Sequence, residues 1–432
     1  MSPFQYLLTE VLGVPPPTTE ATSPSLRCSQ EFWFIRNIWF NSRKANLVTN
    51  ISCFVHQLKR YSWEQRKLGD IGKTFTGLSG KTSNDFGHGE AKFLPYLNIF
   101  NNPIADINFL ESTEIDKSQN EIKYGDVFFT TSSETPEEVG MSSVWLGNSG
   151  NIYLNSFCFG FRPLIDFNPY YFGYLLRSDS FRKPVTILAQ GISRFNISKN
   201  KVMEISIPLP EKLEQEKIGQ LFYKLDSLIT LHQRKHDKLQ AMKKALLEKM
   251  FPAGNEKKPK IRFKGYTEAW EQRKLGEAVF VNSGMDYKHL QPGDIPVYGT
   301  GGYMLSVNRA LSYEDDAIGI GRKGTIDKPY ILRAPFWTVD TLFYAIPTQK
   351  IDLNFCYCAF QKINWKTKDE STGVPSLSKV AINETTIAYP GGNEQTKIGL
   401  LFYQLDSLIT LHQRKCEKLK NLKKSLLERM FI

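Results

Sequence analysis

The 432-residue sequence lacks the paired cysteine and histidine spacings that hold zinc. Its six cysteines contain no CxxC pair, and its six histidines form no cluster. These spacings give neither a metal site nor an evident disulfide framework, so we expect a reducing compartment. No apolar run reaches the roughly 18 residues of a membrane span, and the N-terminus lacks the basic-then-apolar order of a signal peptide. We therefore expect a cytoplasmic protein with no metal and no membrane contact.

Catalytic motifs are missing as well, since the sequence has no GxSxG, no HExxH and no DEAD-like box. Gly319–Gly324 fits GxGxxG, but Pro329 and β-branched residues follow where a dinucleotide site needs a helix, which favours a basic turn between strands. The GKT tripeptides at Gly72 and Gly80 lack the earlier P-loop glycine. Asn168–Tyr171 (NPYY) lacks the second proline of an amino-methyltransferase tetrapeptide and indicates a helix start. We expect no catalytic residue in this chain.

The sequence is rich in basic residues and in aromatic residues that favour strands. Lys and Arg number 55 against 44 Asp and Glu, a net charge of +11, and there are 29 Phe and 19 Tyr. A basic surplus attracts polyanions, of which nucleic acid is the commonest. Charge alone leaves a basic soluble protein without nucleic-acid affinity as the alternative. The length suggests about two to four domains.

Two motifs occur twice. WEQRKLG is found at Trp63–Gly69 and again at Trp270–Gly276. A longer segment, Glu214–Phe251, aligns without a gap with Glu394–Phe431 and is identical at 28 of 38 positions. Identity on this scale does not arise by chance, so the chain contains two copies of one unit.

The stretches between the repeated motifs diverge, and the first is 27 residues longer than the second. Matching flanks with different interiors indicate a constant scaffold that carries two domains with different recognition properties. Strand-like runs in the interiors are Asp126–Thr131, Tyr153–Phe161, Ala317–Ile320 and Thr338–Ile346. A faint alignment of Gly191 with Gly373 and of Pro208 with Pro390 suggests one fold in both halves, with altered recognition loops.

The long repeated segments have the heptad spacing of a coiled coil. The apolar seam comprises Ile218, Leu221, Leu225, Leu228, Leu239, Met242 and Leu246 in the first copy, and Ile398, Leu401, Leu405, Leu408, Leu419, Leu422 and Leu426 in the second. His232 and Lys235 interrupt the first seam, as His412 and Lys415 do the second, and polar seam residues can fix register or partner. Pairing within the chain is favoured by high effective concentration. Homodimerisation is the alternative.

Polar loop residues are the candidates for DNA contact, because hydroxyl, amide and basic side chains position phosphates and read bases. In the first half these are Lys81, Thr130, Thr131, Ser132, Ser133, Gln190, Ser193 and Arg194. In the second half they are Tyr298, Thr300, Tyr303, Arg322, Lys323, Ser376 and Lys379. Arg322 is suited to pair with guanine O6 and N7. An ordinary solvated loop is the alternative for each residue taken singly.

Together these features resemble the specificity (S) subunit of type I restriction–modification systems. The resemblance is carried by the twin WEQRKLG motifs and the twin LDSLITLHQRK helices. It is also carried by the strings GDVFFTTSSETPEEVG (Gly125–Gly140), PVYGTGGYM (Pro296–Met304), IGRKGTIDKP (Ile320–Pro329) and PFWTVDTLFY (Pro335–Tyr344). It covers about residues 63–432.

The resemblance implies a mixed α/β (α+β) fold with an internal pseudo-twofold repeat. Two target recognition domains would be separated by two long helices that form an antiparallel coiled coil. The implied order is recognition domain 63–210, helix 211–251, linker 252–269, recognition domain 270–390 and helix 391–432. Residues 1–62 do not fit the family, and we expect this segment to pack poorly.

The resemblance also implies a function. Each recognition domain would read one half of a bipartite double-stranded DNA site. Two modification (methyltransferase) subunits would carry S-adenosylmethionine, and restriction subunits would add ATP- and magnesium-dependent translocation and cleavage. This chain would bind no cofactor itself. A self-sufficient restriction enzyme lacks its motifs here, and a coiled-coil adaptor outside restriction–modification is the remaining alternative.

Overall fold

The structure is a computed structural model that describes residues 63–254 and 256–431. The segment 1–62, which we expect to pack poorly, lies outside the described residues. The described residues form two compact units. The first contains 63–166, 175–215 and 428–431, and the second contains 167–174, 216–254 and 256–427.

The first half of the chain contains eleven strands and five short helices in its described part. The strands are β1 (Glu64–Lys67), β2 (Gly72–Thr76), β3 (Phe86–Leu94), β4 (Glu111–Thr113), β5 (Val127–Thr130), β6 (Ser132–Ser133), β7 (Ser142–Val144), β8 (Ile152–Leu154), β9 (Cys158–Pro163), β10 (Phe195–Asn196) and β11 (Ser206–Leu209). The helices are α1 (Leu68–Ile71), α2 (Tyr96–Asn101), α3 (Pro169–Leu175), α4 (Asp179–Leu188) and α5 (Lys199–Met203). Helix α3 begins at Pro169, as the NPYY sequence predicts.

The long helix α6 (Lys212–Met250) follows, and then the second half. Its strands are β12 (Glu271–Lys274), β13 (Val279–Ser283), β14 (Pro292–Gly299), β15 (Gly302–Val307), β16 (Ala317–Gly321), β17 (Tyr330–Leu332), β18 (Trp337–Thr338), β19 (Leu342–Pro347) and β20 (Thr386–Tyr389). Its helices are α7 (Leu353–Lys362), α8 (Lys379–Glu384) and the long α9 (Gly392–Arg429).

Three sheets recur in both halves, and the first half adds a two-stranded sheet of β6 and β10. A two-stranded sheet joins β1 to β11 in the first half and β12 to β20 in the second. A four-stranded sheet has the order β2–β9–β5–β7 or β13–β19–β16–β17, and a three-stranded sheet the order β4–β3–β8 or β15–β14–β18. Because the interiors barely match in sequence, this shared topology shows that the halves are two versions of one fold. The prediction of a mixed α/β fold with an internal repeat is confirmed.

The four-stranded sheet supplies the core of each half. All residues of β5 and of β16 are buried, as expected for apolar strands covered on both faces. Phe128 and Trp145 are almost completely buried in the first half, and Ile318 and Phe336 in the second. Strand β5 lies within the predicted stretch Asp126–Thr131, and β16 covers the predicted Ala317–Ile320 and extends one residue further.

The motif WEQRKLG ties the start of each half to the strand that precedes its long helix. Its EQRK residues form β1 and β12, which pair antiparallel with β11 and β20. The leucines that follow, Leu68 and Leu275, are fully buried. This pairing explains why the motif is repeated together with the long helix: the two are far apart in sequence, but the motif pairs with the strand that leads into the helix.

The structure corrects one alignment made from the sequence. Pro210, and not Pro208, is the counterpart of Pro390, because a glutamine of the following helix donates its side-chain N–H to the carbonyl of each, at 2.9 Å in both copies. The glycine pair misleads because the loops differ: Gly191 has a positive φ of 150° and Gly373 does not.

Two of the predicted strands are wrong in extent, because a turn splits each of them. Tyr153–Phe161 comprises β8 and β9 with the turn 155–157 between them. Thr338–Ile346 comprises the end of β18 and most of β19, with the turn 339–341 between them. Apolar residues resume directly after each turn, so the sequence pattern merges the two flanking strands into one stretch.

From residue 216 onward, α6 packs against α9 in antiparallel orientation. Lys243 Nζ lies 2.6 Å from Asp406 Oδ1, and Lys423 Nζ lies 2.6 Å from Asp226 Oδ1. Each ion pair is the repeat of the other, so the helix pair has pseudo-twofold symmetry and the intramolecular coiled coil is confirmed. Of the predicted seam residues, Leu225, Leu239, Leu401 and Leu405 are buried, whereas Leu221, Leu228, Leu408 and Leu419 are half-buried.

A repeated glycine lets a short helix approach each long helix closely. A Cβ at Gly219 would lie 2.6 Å from Asn168 Oδ1, and one at Gly399 would lie 2.3 Å from Asp352 Oδ1. These two polar oxygens accept the backbone N–H of the third following residue, at the starts of α3 and α7. Any larger residue would force the helices apart at these crossings.

The described residues of the predicted linker 252–269 belong to the second unit and contact the start of α9. Arg262 donates Nε and Nη2 to the two carboxylate oxygens of Glu394, at 2.7 and 2.8 Å. Glu394 is 1% exposed. Trp270 and Phe251 meet edge to face, with ring centroids 5.7 Å apart. The linker therefore anchors the second WEQRKLG motif to the start of α9.

Replacing Arg262 with Met should lower the unfolding free energy of the full chain by about 3 kcal/mol, because Glu394 would remain as an unpaired buried charge. Chemical denaturation would measure the change. Adding Glu394→Gln to this variant should recover part of the loss, since a neutral amide costs less to bury. An unchanged midpoint in the single variant would contradict the buried ion pair.

At the centre of the coiled coil, His232 Nδ1 and His412 Nδ1 are 2.8 Å apart. One nitrogen donates a hydrogen and the other accepts it, which requires that the two rings are not both fully protonated. Burial lowers the pKa of both histidines, and the charges of Lys235 and Lys415 lower both further; His236 also lowers that of His412. The neutral pair is the form that fits the folded seam.

Because the folded pKa values lie below the unfolded value of about 6.5, the stability that the pair contributes is complete above that pH and is lost as pH falls below it. The midpoint of thermal unfolding should therefore drop between pH 7.5 and 5.5. Replacing both histidines with Leu should flatten this dependence and raise the midpoint. A double variant with the wild-type pH dependence would show that other groups control it.

Candidate nucleic-acid interface

Three loops converge at one edge of the first half, and we call this place loop junction 1, centred on Thr131, Phe157 and Ile197. Thr131 donates its backbone N–H (3.0 Å) and its hydroxyl (2.9 Å) to the carbonyl of Phe157. The carbonyl of Thr131 accepts the N–H of Ile197 at 3.0 Å. The segment after β5 is thus fixed between the β8–β9 turn and the 190–196 hairpin.

The second half has the same arrangement, loop junction 2, centred on Arg322, Thr341 and Leu377. Arg322 and Lys323 donate their backbone N–H groups to the carbonyl of Thr341 at 2.8 and 3.3 Å. The carbonyl of Arg322 accepts the N–H of Leu377 at 2.9 Å, and Lys323 forms a bridge with Ser376. The segment after β16 is therefore held as the segment after β5 is.

The two junctions share a backbone and differ in the side chains that they display. Junction 1 exposes Phe157 and Arg194. Junction 2 exposes Arg322 and Lys323, and Arg322 lies over the Phe343 ring at 5.8 Å. A conserved backbone with different exposed side chains is what two readers of different sequences require.

A family model for the type I restriction modification DNA specificity domain matches residues 61–241 and 267–421. The chain belongs to this family. It therefore contains two DNA specificity domains. We keep the bounds predicted from the sequence, 63–210 and 270–390, and call these segments the first and second recognition domains.

Similar proteins carry names that agree with this family. A protein named as the MjaX type I restriction enzyme specificity subunit of Methanocaldococcus jannaschii is 22% identical over 412 residues, which cover 84% of this chain and 92% of that protein. The MjaVIII specificity subunit of the same organism is 24% identical over 298 residues, or 60% of this chain and 68% of that protein.

Solved structures show the same fold. The crystal structure of the S subunit of a type I restriction–modification system from M. genitalium matches with a TM-score of 0.57 and 18% sequence identity. The match covers 86% of this chain and 97% of that chain. At this identity the likeness concerns the fold.

The structure corrects three of the predicted contact residues in the first recognition domain. Thr130, Ser132 and Ser133 are buried. Thr130 Oγ1 accepts the N–H of Met141 at 2.9 Å, and Ser133 donates to Glu138 at 3.2 Å. These side chains bond within the domain and do not face solvent.

Other predicted residues of this domain lie near junction 1. Gln190, Ser193 and Arg194 are exposed on the hairpin that pairs with β6, and Arg194 Nε lies 3.4 Å from Ser132 Oγ. Lys81 is not part of the junction, because it forms an ion pair with Asp116 at 2.7 Å. That hydrogen bond raises the pKa of Lys81 and lowers the pKa of Asp116.

In the second recognition domain, the β14–β15 hairpin adjoins junction 2. The carbonyl of Tyr298 accepts the N–H of Val339 at 3.0 Å, two residues before Thr341. Thr300 lies in the hairpin turn, and Tyr303 is 62% exposed just after it. Lys379 is exposed at the start of α8. Here the predicted residues and the junction occupy the same region.

Two half-buried arginines that the sequence did not single out hold the loop behind junction 1. Arg182 donates to the carbonyls of Glu137, Val139 and Gly140 at 2.7 to 2.8 Å, and Arg177 donates to that of Ser142 at 2.7 Å. Burial lowers the pKa of Arg177 to about 9 and that of Arg182 to about 10, so both stay charged at neutral pH. The sequence does not reveal this role, because the acceptors are backbone carbonyls, which every residue has.

Within 63–254 and 256–431, no three or more His, Cys, Asp or Glu side chains are grouped as metal ligands. In the same residues, none of the helices combines the length and the apolar character that a membrane span needs.

Replacing Lys323 with Met should weaken DNA binding by a similar factor on all sequences, because we expect this exposed lysine on a basic turn to contact phosphate. The slope of log K against log salt should fall by about 1. Salt-dependent titrations of the full chain with modification subunits would measure it. Lys350→Met, an exposed lysine outside junction 2, is the matched control, and equal slopes for both variants would contradict the assignment.

Proposed function

We propose that this chain is the specificity subunit of a type I restriction–modification complex and reads a bipartite double-stranded DNA site, one half with each recognition domain. The observation that carries the proposal is the pair of loop junctions. Both fix three loops by the same backbone hydrogen bonds, and each displays a different set of exposed side chains. An unequal pair of readers on one chain suits an asymmetric site of two half-sites.

The helix pair suits a rigid spacer between two readers. Each end carries the same polar arrangement of aspartate, lysine and tyrosine. Tyr174 donates its hydroxyl to Asp226 at 2.7 Å and lies under Lys423, whose Nζ is 5.2 Å from the ring. At the other end, Lys243 pairs with Asp406 and lies 5.8 Å from the Tyr357 ring. These contacts hold the two long helices to each other on both sides of the histidine pair.

Partner subunits are favoured by exposed apolar residues that occur at matching places on both long helices. Tyr223 and Tyr403 are 49% and 50% exposed, and Leu231 and Leu411 are 45% and 44% exposed. Large apolar residues left exposed at repeated positions favour a protein contact on each helix. Two equivalent surfaces suit two copies of one modification subunit.

We assign chemistry to the partners. Modification subunits would bind S-adenosylmethionine and methylate adenine, and restriction subunits would use ATP and magnesium to translocate and cleave DNA. This chain would contribute recognition and scaffolding without a catalytic residue or a cofactor of its own. The absence of any cofactor loop from its sequence supports this division.

Exchanging residues 270–390 for the equivalent domain of another specificity subunit should change one half of the recognised site and leave the other half and the spacing unchanged. Mapping methylated adenines in DNA from cells that carry the chain with its partner subunits would measure both halves. The unexchanged chain is the control.

A change in both half-sites would contradict the division of reading between the domains. No methylated site and no DNA binding, even with modification subunits present, would favour an adaptor outside restriction–modification.

A further inference from the structure

Phe157 is an exposed aromatic residue in the middle of loop junction 1. It lies in the turn between β8 and β9, and 61% of its surface is exposed. Polar candidates such as Gln190 and Arg194 follow from the sequence, whereas Phe157 lies within Tyr153–Phe161, a stretch that the sequence predicts as one continuous strand. Its position in a turn is visible only in the fold.

The turn that carries Phe157 is held on both sides. Asn155 is 6% exposed, donates Nδ2 to the carbonyl of Leu94 at 2.9 Å and accepts the N–H of Phe157 on Oδ1 at 2.9 Å. Thr131 donates twice to the Phe157 carbonyl. A ring held in water by a fixed backbone is already placed for a partner and loses little freedom on contact.

The other exposed residues of junction 1 indicate what that partner is. Thr131 accepts the N–H of Ile197, which ends the hairpin that carries Gln190 and Arg194, and both of these side chains are exposed. A basic and an amide side chain on a hairpin that is hydrogen-bonded to the same junction as the aromatic residue suit the edges of DNA bases. In the major groove, the apolar group that a base pair presents is the C5 methyl of thymine.

The second recognition domain has a different residue at the equivalent place. Thr341 takes the position of Phe157, since its carbonyl accepts the N–H of Arg322 as that of Phe157 accepts the N–H of Thr131. Thr341 is half-buried, and junction 2 displays its charge on Arg322 and Lys323, the equivalents of Thr131 and Ser132. The two domains therefore differ in chemistry at one equivalent backbone position, which is where a difference in base preference would arise.

We propose that Phe157 is a specificity-determining residue of the first recognition domain and contacts the methyl group of a thymine in its half-site. This inference rests on the proposed function of the loop junctions. It adds to that function one residue and one base.

The test uses the full chain in complex with modification subunits and DNA of its mapped site. Each thymine of the first half-site is replaced in turn by deoxyuridine, which removes only the methyl group. At one position the wild-type complex should bind about fourfold more weakly, the effect of one methyl group. The Phe157→Ala complex should bind thymine and deoxyuridine equally at that position and should be weaker on thymine DNA by at least the same factor.

Tyr124→Ala is the matched control, because Tyr124 is 56% exposed in the same domain and outside the junction. This variant should behave as wild type in the deoxyuridine series. Phe157→Ala should keep the wild-type thermal midpoint and the wild-type salt slope, since no charge is removed. A lowered midpoint would mean that the ring supports the fold and would overturn the proposal.

A half-site without thymine, or a wild-type complex insensitive to every deoxyuridine, would also overturn the proposal. Arg194→Ala separates this failure from failure of the proposed function. If Arg194→Ala weakens binding while the deoxyuridine series is flat, only the thymine contact is wrong. If neither variant alters binding, junction 1 does not meet DNA.

Discussion

The antiparallel packing of two nearly identical helices is the constraint on which the second unit depends. In the antiparallel pair, equivalent positions of the two helices face each other around a central pseudo-twofold axis. His232 therefore contacts its own repeat, His412, and the ion pair of Lys243 with Asp406 recurs as Lys423 with Asp226. A substitution in one helix alone therefore leaves the other with an unmatched partner. This reciprocity gives a physical reason why the two helical segments are identical at 28 of 38 positions.

Outside the helices, the features that recur in both halves are backbone hydrogen bonds and close backbone contacts, which allow the side chains to differ. The WEQRKLG strand, the glycine at each helix crossing and the three-loop junction recur in both halves. Backbone hydrogen bonds tolerate almost any side chain, so the junction can present Phe157 in one domain and a basic turn in the other. The fold thus separates what must stay constant from what can vary.

Several features were predictable from residues alone. Heptad spacing and repeat identity predicted the helices, which the structure places at Lys212–Met250 and Gly392–Arg429. Buried strands β5 and β16 followed from short apolar runs. Loop candidates were less successful, because a hydroxyl such as that of Thr130 bonds equally well to backbone and to DNA, and sequence does not distinguish the two.

By itself the sequence determined the duplication, the coiled-coil seam and the resemblance to specificity subunits, because each of these rests on local periodicity or identity. Only the tertiary structure decided that Ser132 faces inward, that Phe157 faces outward and that Arg182 holds the loop between them. These outcomes depend on backbone groups far apart in the chain, such as Thr131 with Phe157 and Arg322 with Thr341. Pairing of that kind is set by topology and has no signature in the order of side chains.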